Sequence, residues 1–97
     1  MKTISFNEVL KEKLKDEEFS ILYEKEEIKN KIAQLVIELR KQEGLTQEEL
    51  AKKAKTSQPV IARLERGTDI RIPSLELLSK IAHSLGRELE ISFKTIK

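Results

Sequence analysis

The stretch GLTQEELAKKAKTSQPVIARLERG, residues 44–67, decides the fold. Thr46 and Glu49 have capping-box spacing, each side chain within reach of the other's backbone N–H, and Leu45 with Leu50 has the spacing of a hydrophobic staple. A helix therefore starts at Gln47. Leu50, Ala51 and Ala54 fall on its inner side, Lys52 and Lys53 on its outer side, and it stops around Ala54, two turns later. Ser57 then caps a second helix, which tolerates Pro59 in its first turn, buries Ile61 and Leu64, and ends at Gly67.

Outward from this pair the chain reads as helices, with one strand at the end. Upstream, Ile28, Ile32, Leu35, Val36 and Leu39 recur at spacings of three and four, marking a helix that ends near Glu43, with Gly44 in a left-handed cap. Before it, Asp16 caps a helix that carries Glu17 and Glu18 in its first turn and Phe19, Leu22 and Tyr23 on one side. Ser5 and Glu8, followed by Phe6, Leu10 and Leu14 at every fourth residue, predict a short helix over 6–14. No proline or glycine interrupts residues 2–43. Downstream, Ile72-Pro73-Ser74 resets the chain, Ser74 caps a last helix with Leu75, Leu78, Ile81, Ala82 and Leu85 as its apolar face, and Gly86 closes it. In the tail, Leu89, Ile91 and Phe93 alternate with Glu90, Ser92 and Lys94, the pattern of a strand with one wet face. A lone strand leaves its backbone groups unpaired, so this one is expected to pair with a second copy or a partner.

Composition narrows the function. Of 97 residues, 37% are charged and 38% apolar, enough for one modest core whose helices face water on most sides. No run approaches the ~18 apolar residues of a membrane span, and the first ten residues lack the apolar centre of a secretory signal, so a cytoplasmic protein without membrane contact is expected. With no cysteine and a single histidine, His83, there is no thiolate nucleophile and no usual metal set; no enzyme activity, cofactor or metal is expected. The net charge of +2 conceals a polarity. Residues 16–28 hold Asp16, Glu17, Glu18, Glu24, Glu26 and Glu27 against Lys25, whereas 52–71 hold Lys52, Lys53, Lys55, Arg63, Arg66 and Arg71 against Glu65 and Asp69. The first stretch suits a basic partner and the second a polyanion, unless either is simply a solvated helix face.

Two short helices joined by Lys55-Thr56-Ser57 have the plan of a helix-turn-helix. With Ile61 and Leu64 inward, Pro59, Ala62, Arg63 and Arg66 project outward, and Ser57 and Gln58 sit at the exposed start. Arg63 can pair with guanine N7 and O6, Gln58 with adenine N6 and N7, and Pro59 or Ala62 can touch a thymine methyl.

Residues 44–51 and 57–67, at this separation, resemble the two helices of the Xre/Cro/CI repressors, a likeness that extends over about residues 30–86. It implies an all-α, lambda-repressor-like domain in which Gln47 helps to position the protein on phosphate and Gln58, Pro59 and Arg63 read bases. Thr46, Thr56, Ser57 and Arg66 would then contact the DNA backbone. The family's turn often has glycine where this chain has Lys55; a positive φ there would strain Lys55 by ~1 kcal/mol, offset by a phosphate contact. The segment 14–19 with Tyr23-Glu24, and the run 81–86 leading into 89–93, further resemble the HigA-type antitoxins. That likeness implies a homodimer that binds operator double-stranded DNA, represses its own operon and neutralises a RelE/HigB-like mRNA endoribonuclease toxin. Three segments are therefore expected: 1–29, a helical extension offering Phe6, Leu10, Phe19, Leu22 and Tyr23 to the toxin; 30–86, the DNA-binding domain; and 87–97, a dimerisation strand through Leu89, Ile91 and Phe93. The alternative is a stand-alone phage-type or metabolic repressor whose residues 1–29 only pack on the domain.

Overall fold

The computed structural model describes residues 8, 9, 12, 16–67 and 71–96. Four helices carry the architecture: α1 (Glu17–Gln42), α2 (Gln47–Lys53), α3 (Gln58–Arg66) and α4 (Leu75–Ser84). Glu8, Val9 and Glu12 are also helical, while Phe6, Leu10 and Leu14 lie outside the described residues. The helix begun at Asp16 and the stripe beginning at Ile28 are one uninterrupted 26-residue helix, so residue 29 falls within α1.

The caps form where the side chains dictate. Asp16 Oδ1 accepts from the Phe19 N–H at 3.1 Å, and Ser74 Oγ accepts from the Leu77 N–H at 3.1 Å. At Thr46 the full box closes: the hydroxyl accepts from the Glu49 N–H at 3.1 Å, and Glu49 Oε1 accepts from the Thr46 N–H at 2.9 Å. Ser57 occupies the N-cap of α3, but its hydroxyl makes no capping bond. Pro59 has no N–H to offer, and the Val60 and Ile61 amides already donate to the Ser57 carbonyl.

α2 and α3 pack most closely on each other; α1 lies on α3, and α4 touches α2. Leu50 and Ile61 are fully buried between them, joined by Val36, Ala51, Ala54, Leu64 and Ile81, with Ile32, Leu77 and Leu85 against the edge. Gly67 ends α3 at φ 66, where a Cβ would stand 3.2 Å from Asn30 Oδ1 and 3.4 Å from Ala33 Cβ. The absence of a side chain is what lets the end of α3 sit against α1.

Two helix faces are rotated from the expected ones. On α1 the buried line is Lys29, Ala33 and Val36, while Ile28 and Leu35 are 41% and 57% exposed. A small alanine lets α3 approach closely, so the core forms beside the bulkier stripe rather than on it. On α4, Leu75 is exposed and Leu77 takes the inner place. The expected strand is absent: among the described residues none is assigned to a strand, Ile91 and Phe93 are exposed, and Leu89 is half-buried. An alternating segment forms a ladder only against another strand, and the described residues contribute no second one.

Leu50→Ala is expected to cost about 2–5 kcal/mol in urea unfolding, as truncation in a closed core does, whereas Leu75→Ala should stay within about 0.5 kcal/mol of the parent.

Candidate DNA-reading surface

The outward groups of α3 stand on a hydrogen-bonded relay rooted in α1. Arg40, one turn beyond Val36, meets Glu65, which follows Leu64 on the inner side of α3. Arg40 Nε donates to Glu65 Oε2 at 2.7 Å and Nη2 to Glu65 Oε1 at 2.9 Å, while Nη1 donates to the Leu45 carbonyl at 2.9 Å. Gln47 Nε2 also donates to Glu65 Oε1, at 3.0 Å, and Gln58 Nε2 donates to Gln47 Oε1 at 2.8 Å.

The relay has a fixed direction. A guanidinium can only donate and an ionised carboxylate can only accept, so the Gln47 amide must turn its nitrogen to Glu65 and its oxygen to Gln58. Gln58 must then turn its nitrogen inward, leaving its Oε1 and one N–H pointing outward. Side by side, a free acceptor and a free donor are the pair that adenine N6 and N7 require.

Electrostatics hold the root in its charged form. Burial pushes the Glu65 pKa up, but the bonds from Arg40 and Gln47 and the charges of Arg40 and Lys41 outweigh it and hold the carboxyl below its ordinary 4.5. The bond to Glu65 raises the Arg40 pKa. Glu49 is held low by the Thr46 backbone N–H and hydroxyl of the capping box.

Gln58, Pro59 and Arg63 are exposed together on α3, with Ala62 half-buried between them and Arg66 exposed at its end. Thr46, Lys55 and Ser57 are exposed around the turn, Thr56 is half-buried, and Lys52 and Lys53 are exposed on α2. Gln47 is half-buried with both ends of its amide engaged, so its side chain positions Gln58 and keeps one N–H outside these two bonds. The sequence reading missed Arg40 and Glu65. The available signal was a polar residue at a core-face position, four residues beyond Val36 in one helix and four beyond Ile61 in the other.

Lys55 has φ 57, alone among the described non-glycine residues. It ends α2 as glycines end α1 and α4: the Thr56 N–H bonds the Ala51 carbonyl at 2.9 Å and the Lys55 N–H bonds that of Lys52 at 3.2 Å. Those bonds hold Lys55 in a left-handed conformation costing ~1 kcal/mol. His83 is exposed on α4. Among the described residues no group of histidine, cysteine and acidic side chains is arranged to hold a metal, and no helix is long and apolar enough to cross a membrane.

Two helices joined by a tight turn, the second projecting polar side chains, define the helix-turn-helix class of protein. The family model described as helix-turn-helix matches residues 36–91, more than half of the chain, and the chain belongs to that family. It is also 48% identical over 54 residues to an uncharacterized HTH-type transcriptional regulator of Methanothermobacter thermautotrophicus, a match covering 56% of this chain and 75% of that protein. No solved structure matches the chain significantly.

Because the Glu65 pKa is depressed in the fold, its stabilisation is complete above about pH 4.5 and is lost as pH falls through the lower, folded value. Glu65→Gln is expected to cost roughly 1–3 kcal/mol at pH 7. The urea midpoints of the two proteins should converge as pH falls below about 4.5 and through the folded value, as a pH series of unfolding curves would show.

Proposed function

We propose that the protein is a transcriptional regulator that binds operator duplex DNA as a homodimer, laying α3 in the major groove. The observation that carries this reading is the relay: a surface glutamine held in one amide orientation, with Arg63 exposed on the same helix, is built for reading base edges. In this reading Gln58, Pro59, Ala62 and Arg63 face bases, while Thr46, Gln47, Lys55, Thr56, Ser57 and Arg66 contact the sugar-phosphate backbone. Residues 30–86 form the DNA-binding unit. Residues 89–94 pair antiparallel with those of a second copy, placing two α3 helices on half-sites about 34 Å apart. The protein then works among nucleic acids in the cytoplasm, without enzyme activity.

A second role has its own support. The first half of α1 precedes the family match and carries Glu17, Glu18, Glu24, Glu26 and Glu27 beside Leu22 and Tyr23, which are 56% and 37% exposed, with Phe19 half-buried. An apolar strip rimmed by acids is chemistry for docking a basic protein. We assign residues 1–29 to neutralising a RelE/HigB-like endoribonuclease toxin, which makes the protein an antitoxin of the HigA type. A stand-alone repressor uses the same reading face without this partner, and the name of the relative fits it equally well.

Arg63→Ala is expected to lose roughly 1–3 kcal/mol on the DNA upstream of its own gene and almost nothing on scrambled DNA, while Lys52→Ala weakens both about equally. Gel shifts measure this; equal losses with Arg63→Ala would remove its base-reading role. Leu22→Glu with Tyr23→Glu should abolish co-purification of a small basic toxin encoded beside the gene while the operator shift persists. Retained capture would move the toxin contact elsewhere on the chain.

A further inference from the structure

An open groove runs between α1 and α4 where the bundle does not close. Its walls are Ile32, Leu35 and Leu39 on one side and Leu78 and Ile81 on the other, and Leu89 lies at its rim. At about 230 Å³ it falls below the range of small-molecule sites and suits side chains instead. The tail leaves from this rim: Arg87 Nη1 is anchored to Glu43 Oε1 at 3.0 Å, and beyond it Ile91, Phe93 and Ile96 are 65%, 101% and 88% exposed.

We infer that this groove is the seat of Phe93 from a second copy of the chain, the two tails crossing so that each ring fills the other protomer's groove. The inference rests on the strand pairing proposed above and adds what covers the paired strands. A two-stranded ribbon alone is marginal in water and needs a helical surface behind its apolar face. Antiparallel pairing centred on Ile91 sets the partner's residue 93 opposite Leu89, with Cβ atoms about 5 Å apart. Leu89 already lines the groove, so the partner's ring arrives over Leu35 and Leu78. Self-occupation is disfavoured by the chain itself. No glycine, proline, asparagine or aspartate follows Gly86, so the turn needed to fold residue 93 back between residues 90 and 93 has only Ser92 to favour it. Leu39, Leu78, Ile81 and Leu89 lie within the span matched by the helix-turn-helix family, whereas Ile32 and Leu35 precede it and Phe93 follows it, so residues outside that span complete the seat.

The chain contains no cysteine, which makes the test direct. Full-length Leu35→Cys and Phe93→Cys proteins are purified separately, mixed, and treated with a short thiol crosslinker. A covalent heterodimer much more abundant than either homodimer is expected. In sedimentation, Phe93→Ala should weaken self-association by about 100-fold, two rings being lost per dimer, and Ile96→Ala should change it little. Three results overturn the seat. A dimer that persists without the heterodimer crosslink places the interface elsewhere and leaves the dimer intact. A chain that is monomeric at tens of micromolar removes the dimer itself. Crosslinking within one chain, in a monomeric Leu35→Cys, Phe93→Cys double variant, assigns the groove to the protomer's own tail.

Discussion

The forked contact between Arg40 and Glu65 is the constraint on which the outward face of α3 depends. It ties α1 to α3 by two short bonds, while the third guanidinium contact holds the Leu45 carbonyl at the α1–α2 turn. Both side chains are largely buried, at 15% and 6% exposure, so neither charge tolerates loss of the other. An apolar pair of similar volume could hold the helices together as well, but it could not set the direction of the hydrogen bonds that continue to Gln47 and Gln58.

Most of the fold is legible in the sequence because helix caps are local. Asp16, Thr46 with Glu49, Ser74, and the left-handed positions at Gly44 and Gly86 act within five residues of themselves, and their side-chain types reveal them, whereas the left-handed Lys55 carries no such mark of its own. What the sequence does not reveal is which flank of an apolar stripe meets the core. Ile28 and Leu35 outrank Ala33 in hydrophobicity, yet close approach of α3 selects the alanine. Leu75 and Leu77 are the same residue type two positions apart, and only the docked helix distinguishes them.

The exposure of Gln58, Pro59 and Arg63 is legible from helical angle alone, since anything opposite Ile61 and Leu64 must project. The relay behind them is not. Glu65 lies in a basic run, where it reads as an ordinary counter-charge, and its partner is 25 residues earlier on another helix. The tail is a different case: its alternation is clear, but among the described residues no strand is present for it to pair with, so the pattern alone does not determine its structure.

The backbone at Lys55 carries a further consequence, best seen as a thermodynamic cycle. The left-handed conformation is present in the free fold and, with the turn preserved, in the bound one, so its cost cancels from the free energy of association and remains only in that of folding. The ammonium group behaves in the opposite way, because an exposed cation adds little to the folded protein and matters once a polyanion is near. Thermal denaturation at this position therefore registers the main chain, and, under the proposed phosphate contact, the salt dependence of DNA binding registers the side chain: one residue, two independent observables.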